Sequence, residues 1–462
     1  MTDSSWETAG DIAGAVRAGR MSATAVTEAA LARIAARNGV LNAFTAVTAE
    51  RALRRAAALD AGHVAAGALA GVPFAVKNLF DIAGIATLAG ARLNRAHPPA
   101  AADATLVARL EAAGAVLVGA LNMGEYAYDF TGENAHDGPS RNPHDPARMT
   151  GGSSGGSGAA VAGGMVPLAL GSDTNGSIRV PASLCGVFGL KPTYGRLSRA
   201  GTFPFVASLD HVGPLARTVA DLALAYDAMA GHDPADPVCR ERPAAKLLPA
   251  VTMAAGGLRI AVLGGYFREG AAEQALAAVA ACAAALGTTA EVELPEAARA
   301  RAAAYLITAS EGAALHLGRL RASAAEFDPD VRDRLLAGAL LPGSVVVQAQ
   351  KFRRWFQEAV REVFRHVDVL LAPATPCTAP PRGQRVLRLG DAEVPLRPNL
   401  GLFTQPLSFI GLPVVAVPVP CGGGLPIGVQ VVAAPWREED AIRVAAALEQ
   451  AGVAQAPRPA EA

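Results

Sequence analysis

Short apolar runs alternate with longer amphipathic segments along most of the chain. Runs rich in β-branched and aliphatic residues predict strands at 74–76, 116–118, 166–170, 260–263, 367–371, 414–417 and 429–432. Apolar positions three or four residues apart predict helices, among them those at 104–113, 219–230 and 345–366. Strands that alternate with helices in this way indicate a layered α/β fold with helices on both faces of a sheet.

The beginning of the chain is predicted to be helical. Ser22 is suited to cap a helix that runs to about Arg37, and Thr48 to cap a second helix that ends near Gly62. In both cases a short hydroxyl side chain can accept a hydrogen bond from a free N–H of the first turn. Residues 231–257 are rich in Pro and Ala and weakly periodic, so we interpret them as a loop within one domain.

Charge and composition narrow the classes of function. The 462 residues carry 41 basic and 41 acidic side chains, so the chain has no net charge that would attract nucleic acid or an anionic membrane. The first twenty residues contain no apolar run of signal-peptide length, and we expect a cytoplasmic protein. Two uncharged stretches, 150–172 and 399–436, are rich in Gly and Ser or broken by six prolines, which indicates buried core rather than membrane spans.

Cysteine and histidine usage points away from metals. The five cysteines are scattered and form no C-x-x-C pair, which predicts reduced, buried thiols rather than disulfides or a zinc cluster. The eight histidines include no H-x-H or H-E-x-x-H spacing. We therefore expect no metal site and no cofactor.

Lys77 is notable because only four of the 41 basic residues are lysines. It follows the apolar residues 74–76 and precedes Asn78, Leu79 and Phe80, so burial would lower its pKa and make a neutral amine base attainable. Arginine could not serve in that way. The segment is equally compatible with a lysine that reaches solvent from the end of a strand.

A Gly- and Ser-rich loop at 150–158 runs directly into the apolar residues 159–162. A flexible linker would rarely do so, and a phosphate-binding loop would close with Lys followed by Ser or Thr. Residues 151–155 match G-x-S-x-G, but the strand, elbow and helix of an α/β hydrolase do not surround them in that order. The loop therefore offers glycine flexibility together with serine hydroxyls at a site of another kind.

A second polar stretch lies at 171–183, within apolar sequence. A tight Asn175-Gly176 turn before Ser177 can direct successive N–H groups inward as an oxyanion hole beside the Ser177 hydroxyl. Asp173 and Arg179 are spaced to pair and brace that turn. A simple hairpin turn would explain Asn175-Gly176 but not the neighbouring Ser, Asp and Arg.

Together these segments resemble the amidase signature family. The family pattern combines a Lys at a strand end, G-G-S-S-G-G-S, and G-S-D-x-G-G-S-I-R-x-P-A, with two key serines 24 residues apart, as Ser153 and Ser177 are here. The resemblance runs from about Ser22 to Leu448 and is weakest at 231–342. It implies one large α/β domain over 1–462, with a mixed central sheet covered by helices on both faces, a signature core at about 70–220 and a variable region at about 231–342.

The resemblance also implies roles for individual residues. Ser177 is the expected nucleophile, Ser153 the proton bridge after a cis peptide at Gly152, and Lys77 the base. The expected oxyanion donors are Thr174, Asn175, Gly176 and Ser177, with Ser154, Asp173 and Arg179 in support. Asn175 is a departure, because the family usually has Gly there. Asn tolerates positive φ, so we expect the turn to survive and the side chain to protrude into the pocket mouth.

Two functions remain open from the sequence. The first is hydrolysis of a small polar ureido or amide C–N bond through an acyl-enzyme, with release of ammonia. Segments such as 41–45 and 141–145 resemble the 1-carboxybiuret hydrolases of cyanuric acid breakdown, which implies a hetero-oligomer with a small helical partner subunit. The alternative is the glutaminase subunit of a tRNA-dependent amidotransferase, whose glutamine-binding Asp is Gly401 here. The candidate substrate-binding residues are Asn175, Arg141 and Gln405.

Overall fold

The computed structural model describes residues 6–243, 245–421 and 424–460, which fold around one extended sheet. The strands are β1 Phe44–Val47, β2 Pro73–Lys77, β3 Val116–Leu121, β4 Arg141–Asn142, β5 Asp145–Met149, β6 Leu168–Asp173, β7 Phe188–Lys191, β8 His211–Ala216, β9 Ile260–Leu263, β10 Glu291–Val292, β11 Val369–Pro373, β12 Val386–Leu389, β13 Ala392–Pro395, β14 Val414–Val419 and β15 Ile427–Ala433.

The helices cover both halves of the chain. They are α1 Ala9–Arg17, α2 Ala23–Leu41, α3 Ala49–Asp60, α4 Thr105–Ala112, α5 Gly155–Ala162, α6 Arg179–Cys185, α7 Val219–Met229, α8 Glu273–Ala285, α9 Ala297–Ser323, α10 Pro329–Ala339, α11 Gly343–Val363, α12 Leu396–Asn399, α13 Gln405–Phe409 and α14 Glu438–Gln450.

The main sheet has eleven strands in the order β1-β3-β2-β6-β8-β7-β14-β15-β11-β9-β10. β2 pairs in parallel with β3 and β6, and β9 pairs in parallel with β10 and β11. The strands from β6 to β11 are joined by antiparallel pairs. The sheet is therefore mixed, in agreement with the α/β architecture that the sequence predicts.

Helices pack on both faces of the sheet, and strand residues contribute to the two larger of three hydrophobic cores. Alternate residues of a strand enter different cores: Phe74 and Val76 of β2 face one, whereas Ala75 faces the other. Every residue of β2, β3 and β6 is buried. Burial on both faces explains why the central strands are continuous apolar runs rather than alternating patterns.

Several boundaries differ from the sequence predictions. The predicted strand at 166–170 is β6, which begins at Leu168 and continues through the polar residues Ser172 and Asp173. Ser22 accepts a hydrogen bond from Ala25 N–H at the start of α2, as predicted. The prediction that Thr48 caps α3 is wrong, because its hydroxyl donates to the carbonyl of Leu117 instead.

The remaining predictions about the fold have mixed outcomes. Within the described part of 231–257, the regular structure consists of one short 3₁₀ helix, Leu248–Thr252. All five cysteines are free thiols, but Cys377 and Cys421 are only partly buried, so the prediction of buried thiols is wrong for these two.

Among the described helices, none alone has the length and apolar character to cross a membrane. α10 and α11 meet that test only as a pair, and the pair is bent by 96°.

Candidate active site

Lys77 is the last residue of β2, and its side chain is completely buried. Its Nζ lies 2.6 Å from Ser153 Oγ and 2.9 Å from Ser172 Oγ. The lysine thus does not reach solvent, which decides between the two interpretations that its sequence left open. Ser172 was not among the predicted site residues, although it lies on β6, the parallel neighbour of β2.

The electrostatic environment favours a neutral Lys77 amine. Burial lowers the pKa of Lys77 to about 7, because the ammonium form loses its hydration, whereas the carboxylates of Asp173, Asp210 and Asp129 raise the pKa and offset this effect only in part. At neutral pH a substantial fraction of Lys77 is therefore unprotonated and able to accept a proton.

Ser153 lies in the loop before α5, directly after a cis peptide bond between Gly152 and Ser153. The loop packs tightly against Asp129: a Cβ added at Gly152 would lie 2.3 Å from Asp129 Oδ2 and 2.7 Å from Gly132 N. Glycine is the residue that fits this approach. The side chain of the adjacent Ser154 is also buried, and it donates to the carbonyl of Ser172 at 3.2 Å.

Ser177 lies in the turn that joins β6 to α6. Gly176 adopts a φ of 144°, and a Cβ there would lie only 2.2 Å from Thr404 Oγ1. Asn175 is not among the described residues with a positive φ, so the turn does not depend on the tolerance of Asn for such a backbone. In the described structure, the backbone N–H groups of residues 174–177 donate to no protein acceptor. These donors are available to a ligand.

Asp173 and Arg179 form a buried ion pair that stabilises this turn. Arg179 donates to both Asp173 oxygens at 3.0 Å, and neither side chain is exposed. Asp173 also accepts the N–H of Ile178 at 3.2 Å, so one carboxylate links the end of β6 to the start of α6. The adjacent guanidinium holds the pKa of Asp173 far below its usual range despite burial, which favours the charged form.

Ser177 lines a narrow cavity. α9 and α10 close one side of it. The lining residues are Ala127, Tyr128, Asp129, Phe130, Thr174, Asn175, Ser177, Phe205, Tyr305, Thr308, Arg334, Pro398 and Gln405. The lining residues Tyr305, Thr308 and Arg334 of α9 and α10 come from the region that the sequence predicts to be variable.

The predicted substrate-binding residues divide into two groups. Asn175 and Gln405 line the cavity, and Arg301 donates to Gln405 Oε1 at 2.9 Å. Arg141 lies on β4 and does not line the cavity.

Arg334 of α10 lines the cavity, although it was not predicted. Its guanidinium carbon lies 3.9 Å from the centroid of the Tyr128 ring. No local signal distinguishes Arg334 from the other arginines, so the sequence could not single it out.

Gly401 faces the ring of Phe130. A Cβ at position 401 would lie 2.4 to 2.8 Å from three carbons of that ring. An aspartate at this position would therefore require Phe130 to move.

Within the described residues, no group of three or more His, Cys, Asp or Glu side chains is arranged to hold a metal ion.

The chain is similar in sequence to known amidases and related proteins. The amidase family model matches residues 25–442. The chain is 54% identical over 445 residues to AtzE, the 1-carboxybiuret hydrolase subunit of Pseudomonas sp. (strain ADP), covering 95% of this chain and 97% of the relative. It is 42% identical over 474 residues to the A-type subunit of the glutamyl-tRNA(Gln) amidotransferase of Anaeromyxobacter dehalogenans (strain 2CP-C), covering 94% of each.

Two solved structures share the fold. One is described as a vestigial protein complex that reveals the evolutionary origins of an s-triazine catabolic enzyme. It superposes with a TM-score of 0.96 at 54% identity, covering 98% of this chain and all of that one. The other, a 6-aminohexanoate cyclic dimer hydrolase complexed with substrate, gives a TM-score of 0.88 at 30% identity and covers 98% of this chain and 99% of that one.

Proposed function

The chain belongs to the amidase signature family of hydrolases that act on C–N bonds, and we propose that its substrate is a small anionic ureido amide such as 1-carboxybiuret. The buried contact of 2.6 Å between Lys77 and Ser153 supports cleavage of a C–N bond most directly, and the next residue, Ser154, donates its backbone N–H to the carbonyl of Ser177 at 3.3 Å. The narrow cavity and the 54% identity to a 1-carboxybiuret hydrolase subunit support the substrate class.

In the proposed reaction, Ser177 Oγ attacks the terminal amide carbon and its proton passes through Ser153 to neutral Lys77. The negative charge that develops on the carbonyl oxygen is stabilised by the backbone N–H groups of residues 174–177. The proton then returns to the leaving nitrogen as the C–N bond breaks, and ammonia departs. Because a ureido substrate leaves a nitrogen on the carbonyl carbon, the covalent intermediate is a carbamoyl-enzyme, which water hydrolyses to regenerate Ser177.

Arg334 is the cation that we propose for the substrate carboxylate. It lines the cavity and lies deep enough that burial lowers the pKa of its guanidinium, yet it remains charged. Its Nε donates to the carbonyl of Asp330 at 2.7 Å and its Nη2 to the carbonyl of Tyr128, and these two bonds orient the group. The remaining N–H groups of this guanidinium, on Nη1 and Nη2, can donate to a carboxylate.

The glutaminase alternative has less support. The amidotransferase relative of Anaeromyxobacter dehalogenans is 42% identical to this chain, and the carboxylate that would hold the amino group of glutamine is replaced by Gly401. The ring of Phe130 fills the space next to this glycine. An amino acid substrate would thus lack its ion-pair partner and would meet an apolar ring instead.

A panel assay tests the function. Ammonia release from 1-carboxybiuret should exceed that from glutamine, asparagine and aryl amides by at least about a hundredfold, because only the first fits a narrow anionic-substrate site. Ser177→Ala should abolish turnover and labelling by a fluorophosphonate probe, whereas the exposed Ser344→Ala control keeps both. Dialysis against a chelator should leave the activity unchanged. Faster turnover of aryl or fatty amides would overturn the substrate assignment.

We further propose that the chain works in the cytoplasm and assembles with a small helical accessory subunit. The related structure of an s-triazine catabolic enzyme is a protein complex. In the described part of this chain, seven of the twelve exposed large apolar side chains lie on or directly after α9, α10 and α11, among them Leu336, Leu340 and Trp355. The exposed apolar side chains of these three helices are the candidate contact surface for the companion chain.

Sedimentation of the chain with and without a co-expressed companion chain tests the assembly. Leu340→Asp should weaken the association at least about tenfold if this surface is the interface, because it places a charge among buried apolar contacts. Leu248→Asp changes an exposed leucine elsewhere and serves as the matched control. Full activity of a monomeric chain, together with equal behaviour of both variants, would contradict the proposal.

A further inference from the structure

Asn175 ties the turn that carries Ser177 to α9. Its Nδ2 donates to Thr308 Oγ1 at 2.8 Å, and its backbone carbonyl accepts from Thr404 Oγ1 at 2.6 Å. Asn175 is 6% exposed and Thr308 1% exposed, so both contacts are shielded from bulk water. The two bonds fix the backbone and the side-chain amide of Asn175 independently.

The other end of this amide has no partner. Asn175 Oδ1 is buried, and in the described structure no protein group donates to it. Asn175 and Thr308 both line the cavity that Ser177 borders. A buried acceptor without a donor costs free energy, so such atoms in folded proteins generally have a partner that arrives with water or a ligand. This oxygen therefore marks a place for an N–H or O–H of the substrate.

We propose that Asn175 Oδ1 accepts a hydrogen bond from the ureido N–H that adjoins the scissile carbonyl, and that Thr308 is the positioning residue that holds the amide in this orientation. The inference rests on the proposed function, because it assumes attack by Ser177 on a ureido carbon. Asn175 lies two residues before Ser177, and the ureido N–H is bonded directly to the carbon under attack. A simple carboxylic amide has a CH₂ in that place and cannot donate.

Thr308 determines which end of the Asn175 amide, the oxygen or the NH₂ group, is available to the substrate. With Nδ2 bonded to Thr308 Oγ1, Oδ1 is the amide atom that remains for a ligand, and it is an acceptor. If the amide were turned over, the Thr308 hydroxyl would donate to Oδ1, and the cavity would meet an NH₂ group that disfavours a substrate N–H. The two orientations hence predict opposite substrate preferences.

Two small acids provide a matched pair of probes. N-carbamoylglycine and succinamate have the same length and the same carboxylate, and they differ in an N–H or CH₂ next to the terminal amide. As competitive inhibitors of 1-carboxybiuret hydrolysis, N-carbamoylglycine should bind the wild-type enzyme roughly tenfold more tightly, as expected for one hydrogen bond to a buried acceptor. Asn175→Ala should reduce this ratio to about one. Thr308→Val should reduce it in part, and Thr308→Ser should retain it.

Fluorophosphonate labelling of Ser177 in each variant shows whether the nucleophile and its turn are intact. An unchanged ratio in a labelled Asn175→Ala enzyme would overturn the inference and leave the proposed function standing. The absence of any preference in an active wild-type enzyme, or a preference for succinamate, would also overturn it. A wild-type enzyme that is not labelled and does not hydrolyse 1-carboxybiuret would refute the proposed function itself.

Discussion

At the scale of single residues, the position of Lys77 determines its chemistry. A lysine in water holds its proton up to about pH 10, because hydration stabilises the ammonium ion. Complete burial removes that hydration, and three nearby carboxylates restore only part of the lost stabilisation. The contact with Ser153 then gives the neutral amine a hydroxyl from which it can accept a proton. Arginine could not replace it, since its guanidinium stays protonated.

The pH dependence of the reaction follows from this environment. Because Lys77 needs to be neutral and burial lowers its pKa to about 7, kcat/KM should rise about tenfold per pH unit below pH 7 and level off above it. Initial rates between pH 5.5 and 8.5, with a substrate that does not titrate in this range, measure the curve. A flat profile across the whole range would exclude Lys77 as the base.

The three proposed catalytic groups should act as one unit. Lys77→Met and Ser153→Ala should each reduce kcat by roughly 10³-fold or more, since either change interrupts the same proton path. The double variant should lose little beyond the worse single variant. Ser172→Ala should cost less, because it removes a second contact to Lys77 and leaves the path itself intact. Losses that multiply in the double variant would contradict the assignment.

At the scale of secondary structure, the parallel pairing of β2 with β6 brings the base and the nucleophile turn together. The carboxyl ends of neighbouring parallel strands lie at the same edge of a sheet, so Lys77 and Ser172 meet although 95 positions separate them in the chain. β6 then passes directly into the turn at 174–177. The site is therefore built where two strands end.

Gly176 should tolerate no side chain. Gly176→Ala places a Cβ 2.2 Å from Thr404 Oγ1 at a φ of 144°, so it should destabilise the fold by about 2–4 kcal/mol and greatly reduce activity. The exposed helical Gly39→Ala, which meets no atom within 4 Å, is the matched control and should stabilise by about 0.5–1 kcal/mol. Denaturant unfolding measures both. Full activity of Gly176→Ala would contradict the tight packing of the turn.

The sequence predicted those elements whose signal is local. β3, β9, β14 and β15 contain the predicted apolar runs, whereas β11 begins at Val369, two residues after the start of the run predicted at 367–371. Apart from β9, in which buried and partly buried residues alternate, these strands are buried throughout and are therefore continuously apolar. β8 was missed, since Gly213 and Pro214 interrupt its apolar pattern. Its place in the sheet depends on antiparallel pairing with β6 and β7, which is a contact between distant segments. Local propensity carries no information about such pairing.

At the scale of the whole molecule, the cavity is assembled from distant parts of the chain. The nucleophile turn lies on the sheet, whereas Tyr305, Thr308 and Arg334 reach it from α9 and α10. Motif spacing identified the first group because its residues are close in sequence. Arg334 could not be identified, since its position depends on how α10 packs against α9.

A buried base also lowers the stability of the entire fold. The pKa of Lys77 is lower in the folded than in the unfolded chain, so the unfolded chain binds more protons between about pH 7 and 10.5, and the penalty grows as the pH falls through this range. Lys77→Met should therefore increase the free energy of unfolding. The gain should be largest at or below pH 7 and decrease by up to about 1.4 kcal/mol per pH unit above it.

Denaturant midpoints at pH 7, 8 and 9 measure this gain. The exposed Lys351→Met on α11 is the control and should show no dependence on pH in the same range. A wild-type enzyme as stable as Lys77→Met at pH 7 would contradict the cost assigned to the buried amine. Such a cost is the common exchange of stability for function at active sites.

The closure of the cavity by α9 and α10 has a consequence for how enzymes of this shape diversify. Bond cleavage depends on groups anchored to the sheet, whereas the walls that choose the substrate belong to helices on a different stretch of polypeptide. Residues of those helices other than Thr308, which holds Asn175 in the nucleophile turn, can change without disturbing the reacting groups. A lineage could thus inherit its chemistry unchanged and acquire a new nutrient source by remodelling one segment, and laboratory evolution aimed at new amides should begin with libraries in that segment.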